Sequence, residues 1–201
     1  MFVKICGITR AEDADLATEL GASALGFVFW PGSARYISRE SARAIVRRHA
    51  GTVKSVGVFV DQSPEEVTHI MDTVGLDVAQ LHGGESPEYC RLLNRAVIKA
   101  IGLQDGEPAL LDEFDPEMLI LIDAHDPSRY GGTGRTVDWN AARQIAVSRK
   151  TILAGGLNPE NITRAVAAVR PYGVDVSSGV EAAPGVKDAS RLKRFFEALN
   201  D

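Results

Sequence analysis

The chain has 201 residues, of which 45% are hydrophobic and 24% are charged, a composition typical of a globular domain. Its formal net charge is −5, because 22 Lys and Arg side chains face 27 Asp and Glu side chains. The sequence contains no cluster of basic residues, which argues against nucleic-acid binding through the phosphate backbone. A small anionic substrate remains compatible with this charge, since one local pocket can be positive on an acidic protein.

Cysteine and histidine usage argues against a disulfide scaffold and against a zinc site. Two cysteines, Cys6 and Cys90, are too few for a disulfide scaffold, and their spacing is not that of metal ligands. The four histidines are scattered, at His49, His69, His82 and His125. No apolar run approaches the length of a membrane span, and the N-terminus lacks the pattern of a signal peptide. We therefore expect a cytoplasmic protein without a metal, which binds neither membrane nor nucleic acid.

Eight short runs rich in Val, Ile and Phe predict buried strands. They recur about every 25 residues, roughly the length of a strand with its crossover helix. The predicted strands are Phe2–Cys6, Ala24–Phe29, Lys54–Val60, Val78–Leu81, Val97–Ile101, Met118–Asp123, Thr151–Ala154 and Val174–Ser177.

Amphipathic segments between these runs predict helices, most with a polar N-cap residue. The predicted helices are Ala11–Leu20, Arg39–Arg48, Pro64–Thr73, Glu88–Leu93, Trp139–Ala146, Glu160–Val169 and Ala189–Leu199. Their expected N-caps are Thr9, Ser38, Ser63, Ser86, Asp138, Asn158 and Asp188. After the fifth strand, Gly106, Pro108 and Pro116 leave room for little more than one turn, so the fifth helix is expected to be reduced.

Strict alternation of strands and helices predicts one α/β domain over residues 1–201, with a parallel sheet and helices outside it. An open, doubly wound sheet and a closed (β/α)8 TIM barrel both fit the alternation. We favour the barrel because eight evenly spaced units close naturally. The polar residues also gather at the carboxyl ends of the predicted strands, where barrels of this type carry their sites.

Glycine pairs end the last two strands and indicate an anion site. Gly155 and Gly156 follow the seventh strand, and Ser178 and Gly179 follow the eighth. Backbone N–H groups in such loops bind phosphate, and this is the usual phosphate position of a barrel. The alternative is that the glycines only form tight turns. Gly131–Gly134 is either a lid or an ordinary connection.

Polar side chains at the other strand ends are candidates for acid–base chemistry. Cys6 is either core filler or a base, and nearby Lys4 favours its thiolate. Asp123 either caps a turn or acts as a general acid. Asp175 either contacts the substrate or forms a structural ion pair with Lys4 on the neighbouring strand. Asp61 is expected to cap a helix.

Three further residues have both a structural and a functional interpretation. Arg35 lies in the loop after the second strand, where its planar guanidinium is either solvated or reads a carboxylate. Gln80 and His82 share a strand face. Either they form a hydrogen-bonded pair over the site, or His82 is an ordinary residue at a strand end whose hydrogen bonds are made within the protein.

Several segments together resemble phosphoribosylanthranilate isomerase of tryptophan biosynthesis, and the resemblance runs over essentially the whole chain. The positions expected to do chemistry match without departure, and the reduced fifth helix also fits the family. The matching segments are Lys4–Thr9, Gly57–Val60, Gln80–Gly83, Gly131–Gly134, Ala154–Leu157, Val174–Glu181 and Pro184–Asp188.

The resemblance implies an Amadori rearrangement of N-(5-phosphoribosyl)anthranilate to the corresponding 1-deoxyribulose phosphate, without a metal or an organic cofactor. It implies Cys6 as general base and Asp123 as general acid. Arg35 would contact the anthranilate carboxylate. The expected sugar contacts are Gln80, His82 and Asp175, and the expected phosphate contacts are Gly155, Gly156, Ser178 and Gly179.

Two alternatives remain beside this isomerase. The first is another barrel that acts on phosphorylated sugars, such as the histidine-pathway isomerase, which performs the same rearrangement with two aspartates. Cys6 in place of an acid and the short chain argue against it. The second is a phosphate-binding barrel without activity, which has no need of Cys6 and Asp123. The sequence leaves the choice between monomer and homodimer open.

Overall fold

The protein is described by a computed structural model over residues 1–103, 111–124 and 137–200. Eight parallel strands pair in chain order and close into a barrel through the pairing of the first strand with the eighth. The predicted (β/α)8 barrel is therefore confirmed, and the open sheet is excluded. The barrel strands are β1 (Phe2–Ile5), β2 (Ala24–Val28), β3 (Lys54–Phe59), β4 (Val78–Leu81), β5 (Val97–Leu103), β6 (Leu119–Ala124), β7 (Thr151–Leu153) and β8 (Gly173–Val176).

A short antiparallel hairpin follows the barrel and was not predicted from the sequence. Its strands are β9 (Glu181–Ala183) and β10 (Val186–Lys187), joined through Gly185 at a φ of 79°. The hairpin is preceded by a 3-10 turn at Ser178–Val180. These strands are too short to produce a hydrophobic period that sequence reading could detect.

The helices pack outside the barrel, and most begin at the predicted caps. Ser38, Ser63, Ser86 and Asp138 each accept a hydrogen bond from a first-turn backbone N–H, and Asp188 accepts one from Arg191. The helices are α1 (Ala11–Glu19), α2 (Arg39–Arg48), α3 (Pro64–Val74), α4 (Pro87–Leu92), α5 (Trp139–Ser148), α6 (Ile162–Val169) and α7 (Ala189–Asn200).

Two predicted caps are wrong. The residue before α1 is Arg10, without a side-chain cap, and the Thr9 hydroxyl donates instead to the carbonyl of Gly185 in the hairpin. Helix α6 begins later than predicted, at Ile162. Asn158 accepts from Glu160 N at 3.0 Å, which forms a separate turn before the helix. Thr9 thus bonds to a backbone group of another element, and the Asn158 side chain caps a turn that ends before the helix begins.

The segment after β5 contains a three-residue 3-10 turn at Leu111–Glu113 in its described part. Residues 104–110, which include Gly106 and Pro108, lie outside the described residues. The 3-10 turn agrees with the expected reduction of the fifth helix. Among the described residues, no helix is long and apolar enough to cross a membrane.

Alternation along the strands separates two apolar layers. On β6, Ile120 and Ile122 pack outward against the helices, whereas Leu119 and Leu121 point into the barrel. The inner apolar cluster also contains Val56, Ile98 and Ile152. The same alternation turns Asp123 inward, at the carboxyl-end mouth of the barrel. The period of two that fills the core therefore also places polar strand ends in the mouth.

Candidate active site

A buried ion pair crosses the seam where the barrel closes. Lys4 on β1 and Asp175 on β8 are register partners, and Lys4 Nζ lies 2.9 Å from Asp175 Oδ1. The Lys4 side chain is completely buried. Burial lowers its pKa, but the interactions with Asp175 and Cys6 together outweigh this effect and leave the pKa above its ordinary value. The structural pairing expected for these residues is confirmed, and it keeps a positive charge inside the barrel below the mouth.

Cys6 directly follows β1 and is buried as a free thiol. Its side chain packs with Val28 and Val58. Gly26 leaves space for it, because a Cβ there would lie 2.9 Å from Cys6 Sγ. Burial raises the pKa of the Cys6 thiol above its ordinary value, and the charge of Lys4 offsets part of this rise. The resting protein therefore favours the thiol, with a cation nearby to stabilise a thiolate.

Asp123 at the end of β6 is linked to β4 by a chain of hydrogen-bonding groups. One carboxylate oxygen accepts from Ala124 N at 2.7 Å, and the other lies 3.3 Å from His82 Nε2. Gln80 Nε2 lies 3.0 Å from His82 Nδ1 on the other side of the ring. The expected pairing of Gln80 with His82 is confirmed. It directs one ring nitrogen of His82 at the carboxyl group that the sequence identified as a candidate acid.

A second buried ion pair supports the loop that carries His82, and the sequence analysis missed it. Lys99 Nζ on β5 lies 2.7 Å from Glu85 Oε2 and 2.6 Å from the Gly83 carbonyl. Glu85 also accepts from the backbone N–H groups of Gly83 and Asp61. The prediction that Asp61 caps a helix is wrong. Ser63 caps α3, and Asp61 accepts from Gly84 N at 2.7 Å because its positive φ of 55° turns it toward this loop.

Arg35 contacts a carboxylate of the protein itself. Its Nε lies 2.9 Å and its Nη2 lies 2.8 Å from the two carboxylate oxygens of Glu181 at the start of β9. Lys187 on β10 also pairs with Glu181, at 2.8 Å, and donates to the Cys6 carbonyl at 2.6 Å. Glu181 and Lys187 lie in the segments that carried the family resemblance, but no local pattern gave them a role.

The glycine-rich loops after β7 and β8 are packed too tightly for side chains. Gly155 and Gly156 have φ values of 78° and 65°, and a Cβ on Gly155 would lie 2.8 Å from Ala124 N. A Cβ on Gly179 would lie only 1.8 Å from the carbonyl oxygen of Leu157. Ser178 begins the 3-10 turn beside it. Tight glycine loops of this kind can bind an anion through their backbone N–H groups.

Other parts of the molecule hold none of these candidate residues. A cavity of about 760 Å³ opens at the opposite, amino-terminal end of the barrel, where Val56, Val78 and Leu119 line it. In the ranges that the structure describes, no group of three or more His, Cys, Asp and Glu side chains is arranged to hold a metal ion. The loop Gly131–Gly134 and His125 lie outside the described residues.

The site thus combines a thiol, a carboxyl group and a histidine with glycine loops at the carboxyl end of a parallel barrel. This arrangement defines the class of (β/α)8-barrel enzymes that act on phosphorylated small molecules by proton transfer.

Comparisons with known proteins specify the class further. The family model of N-(5'-phosphoribosyl)anthranilate (PRA) isomerase matches residues 3–198. The chain is 50% identical over 201 residues to the N-(5'-phosphoribosyl)anthranilate isomerase of Desulforudis audaxviator (strain MP104C), covering 99% of this chain and 98% of the relative. The chain belongs to the N-(5'-phosphoribosyl)anthranilate isomerase family.

Solved structures of this family share the fold over the full chain. The enzyme of Thermus thermophilus superposes with a TM-score of 0.91 at 47% identity, covering 100% of this chain and 98% of that one. A phosphoribosylanthranilate isomerase in complex with reduced 1-(o-carboxyphenylamino)-1-deoxyribulose 5-phosphate superposes with a TM-score of 0.89 at 42% identity, with the same coverage.

Proposed function

We propose that the chain catalyses the Amadori rearrangement of N-(5-phosphoribosyl)anthranilate to 1-(2-carboxyphenylamino)-1-deoxyribulose 5-phosphate. One observation carries the assignment of the chemistry to this chain. Cys6 directly after β1 and Asp123 at the end of β6 both lie at the carboxyl-end mouth of one closed barrel, so the thiol and the carboxyl group face the same site. A related enzyme binds a reduced form of this product. Family membership supports the substrate, and the pocket supports the proton transfers.

Asp123 is proposed as the general acid of the first step. Its proton passes to the ring oxygen of the ribose as the bond between that oxygen and C1′ breaks, which leaves a protonated Schiff base with the anthranilate nitrogen. The carboxylate that remains is stabilised by Ala124 N at 2.7 Å and by His82 Nε2 at 3.3 Å. Preorganised donors around a developing anion lower the barrier to its formation.

Cys6 is proposed as the general base of the second step. Its thiolate removes the proton from C2′, and the electron pair of that bond moves to neutralise the iminium nitrogen, which gives an enolamine. Tautomerisation of the enolamine yields the ketone, so the reaction is an isomerisation without net oxidation. The charge of Lys4 lowers the pKa of the thiol toward the working range, against the effect of burial.

The remaining candidate residues are proposed to bind the substrate. The backbone around Gly155, Gly156, Ser178 and Gly179 would hold the phosphate, and Arg35 would hold the anthranilate carboxylate. Gln80, His82 and Asp175 would surround the sugar. Contacts at both ends of the substrate would hold C2′ and the ring oxygen between the base and the acid. This fixed orientation supplies the entropic part of the rate enhancement.

The decisive experiment is an assay with phosphoribosylanthranilate generated in situ, followed by the loss of anthranilate fluorescence. We expect turnover by the unchanged protein and its collapse in Cys6→Ala, with product binding retained. Acceptance of the histidine-pathway aminoaldose in place of this substrate would overturn the proposed function. Binding of product without turnover would instead favour a barrel that only binds phosphate compounds.

The cellular setting is part of the same proposal. Both cysteines are free and buried, as expected of an enzyme in the reducing cytoplasm. The whole chain, residues 1–201, is proposed to act as one domain. A dimeric relative from Thermotoga maritima, 42% identical to this chain, has also been solved as monomers. A monomer and a homodimer are therefore both compatible with this fold, and sedimentation analysis distinguishes them.

A further inference from the structure

The Arg35 guanidinium is held by only one of its two hydrogen-bonding edges. Nε and Nη2 bind the Glu181 carboxylate at 2.9 and 2.8 Å, so this side edge is saturated. A guanidinium carries five N–H groups in a planar fork. The end edge, formed by Nη1 and the second N–H of Nη2, has the spacing that accepts another carboxylate. Within the part of the chain that the structure describes, no acceptor lies on Nη1.

Glu181 is itself fixed by contacts that do not involve Arg35. Lys187 Nζ lies 2.8 Å from Glu181 Oε1, and Gly185 N donates to the same oxygen at 3.3 Å. Arg191 donates to the Glu181 carbonyl at 2.6 Å. Burial raises the pKa of the Glu181 carboxyl, but the Arg35 and Lys187 contacts outweigh it and hold the pKa below its ordinary value. The Glu181 carboxylate is therefore charged and held in place beside Arg35.

The charges of this cluster leave a net attraction for an anion. Arg35 and Lys187 contribute two positive charges against the single negative charge of Glu181. Because Lys187 is buried with Glu181, the carboxylate orients Arg35 without cancelling the positive potential at the mouth. A carboxylate that approaches the end edge of Arg35 therefore meets a net positive charge from these three groups.

The Arg35 side chain runs beside the candidate base Cys6. It crosses Gly7, where a Cβ would lie 2.6 Å from Arg35 Cδ. Gly7 adjoins Cys6, and the charge of Arg35 interacts with the Cys6 side chain. The Arg35 side chain is 16% exposed, so most of it is packed and a part remains accessible to a ligand.

We propose that Glu181 is a positioning residue that holds Arg35 by its Nε edge, so that the opposite edge binds the carboxylate on the aryl ring of the substrate. The inference rests on the proposed function and extends it to specificity. Glu181 makes the site selective for an ortho-carboxylated arylamine over the same arylamine without a carboxylate. A long arginine side chain that is already oriented loses less conformational entropy when the ligand binds.

Two variants and two ligands test the proposal. The variants are Glu181→Asp, which keeps the charge beside Lys187 but is too short for both Arg35 contacts, and Glu181→Gln. The ligands are reduced 1-(o-carboxyphenylamino)-1-deoxyribulose 5-phosphate and its phenylamino counterpart without the carboxylate. We expect Glu181→Asp to raise Kd for the first ligand about tenfold and for the second less than twofold. In turnover, KM should rise by a similar factor while kcat stays within twofold.

Controls separate positioning from stability. Glu160→Gln removes an exposed carboxylate paired with Arg194 and should change neither Kd. In an Arg35→Ala background, Glu181→Asp should weaken carboxylated-ligand binding by less than twofold further, because its effect passes through Arg35. Equal weakening of both ligands, or full additivity with Arg35→Ala, would overturn the inference. If Glu181→Gln fails to fold, the two binding constants of Glu181→Asp alone test the inference. Absence of turnover by the unchanged protein would instead count against the proposed function.

Discussion

Lys4 and Asp175 are 171 residues apart in the sequence and lie side by side inside the barrel, with Lys4 Nζ 2.9 Å from Asp175 Oδ1. The pair joins the first barrel strand to the last. It also places a positive charge directly below Cys6. The same contact therefore reinforces the closure of the barrel and contributes to the electrostatics of the candidate base.

Removal of one partner of this pair should destabilise the protein. Lys4→Met leaves the Asp175 carboxylate buried without its cation, which costs about 3–5 kcal/mol in comparable buried pairs. The free energy of unfolding, measured by urea denaturation, should fall accordingly. The matched control Arg194→Met removes an exposed cation paired with Glu160 and should change it by no more than about 0.5 kcal/mol. Equal effects of the two variants would show that the buried pair does not stabilise the barrel.

The activity should rise with pH in the range where Cys6 ionises. Burial raises the pKa of the Cys6 thiol and Asp175 adds to the rise, so the thiolate fraction increases with pH above the ordinary thiol value of about 8.5. Asp175→Asn removes the negative charge and should move the titration to lower pH. The ultraviolet absorbance of the thiolate measures this titration directly, after the signal of the Cys6→Ala variant is subtracted to remove the contribution of Cys90. A shift to higher pH would contradict the assignment.

His82 should support the acid without being indispensable to the fold. His82→Ala removes the ring nitrogen 3.3 Å from Asp123 Oδ2. We expect kcat to fall about 10- to 100-fold, a part of the roughly 10²- to 10⁴-fold that a general acid supplies. Asp123→Asn should lose more. His69→Ala, on the exposed side of α3, is the control and should retain full turnover. Unchanged kcat in His82→Ala would remove this residue from the mechanism.

Gly179→Ala should impair phosphate binding. The new Cβ would lie 1.8 Å from the Leu157 carbonyl oxygen, so the loops after β7 and β8 must separate. The inhibition constant of inorganic phosphate, measured against the substrate, should rise at least about tenfold. Gly84→Ala is the matched control, because its Cβ would meet only Asp61 Oδ1 at 3.7 Å. Normal inhibition in Gly179→Ala would place the phosphate elsewhere.

Glu181 should contribute to stability above acidic pH. Its pKa in the folded protein lies below the ordinary value of about 4.3, because contacts with Arg35 and Lys187 outweigh the effect of burial. The contribution is therefore complete above the ordinary pKa and is lost as pH falls through the folded pKa. The unfolding free energy of Glu181→Gln should depend less on pH between about 5 and 3. The same pH dependence in the variant and the unchanged protein would contradict this linkage.

Local patterns were sufficient where the physical cause is local. Strand positions followed from apolar runs, and Ser38, Ser63, Ser86 and Asp138 cap helices because a short polar side chain there reaches the first-turn N–H groups. The same local rule was wrong at Thr9, whose hydroxyl donates to the distant Gly185 carbonyl. A competing partner from another element cannot be read from the neighbouring residues.

The sequence by itself determined the alternation of strands and helices and the polar residues at the strand ends. It favoured a barrel over an open sheet, and the pairing of β1 with β8 in the tertiary structure decided between them. It also indicated Lys4 with Asp175, since adjacent strands and a period of two fix which side chains face each other. Only the tertiary structure decided what Arg35 and Lys99 contact. Arg35 meets Glu181 across 146 residues, and Lys99 meets Glu85 beneath the loop of His82. These contacts form because barrel closure brings separate loops together, and no local period encodes that juxtaposition.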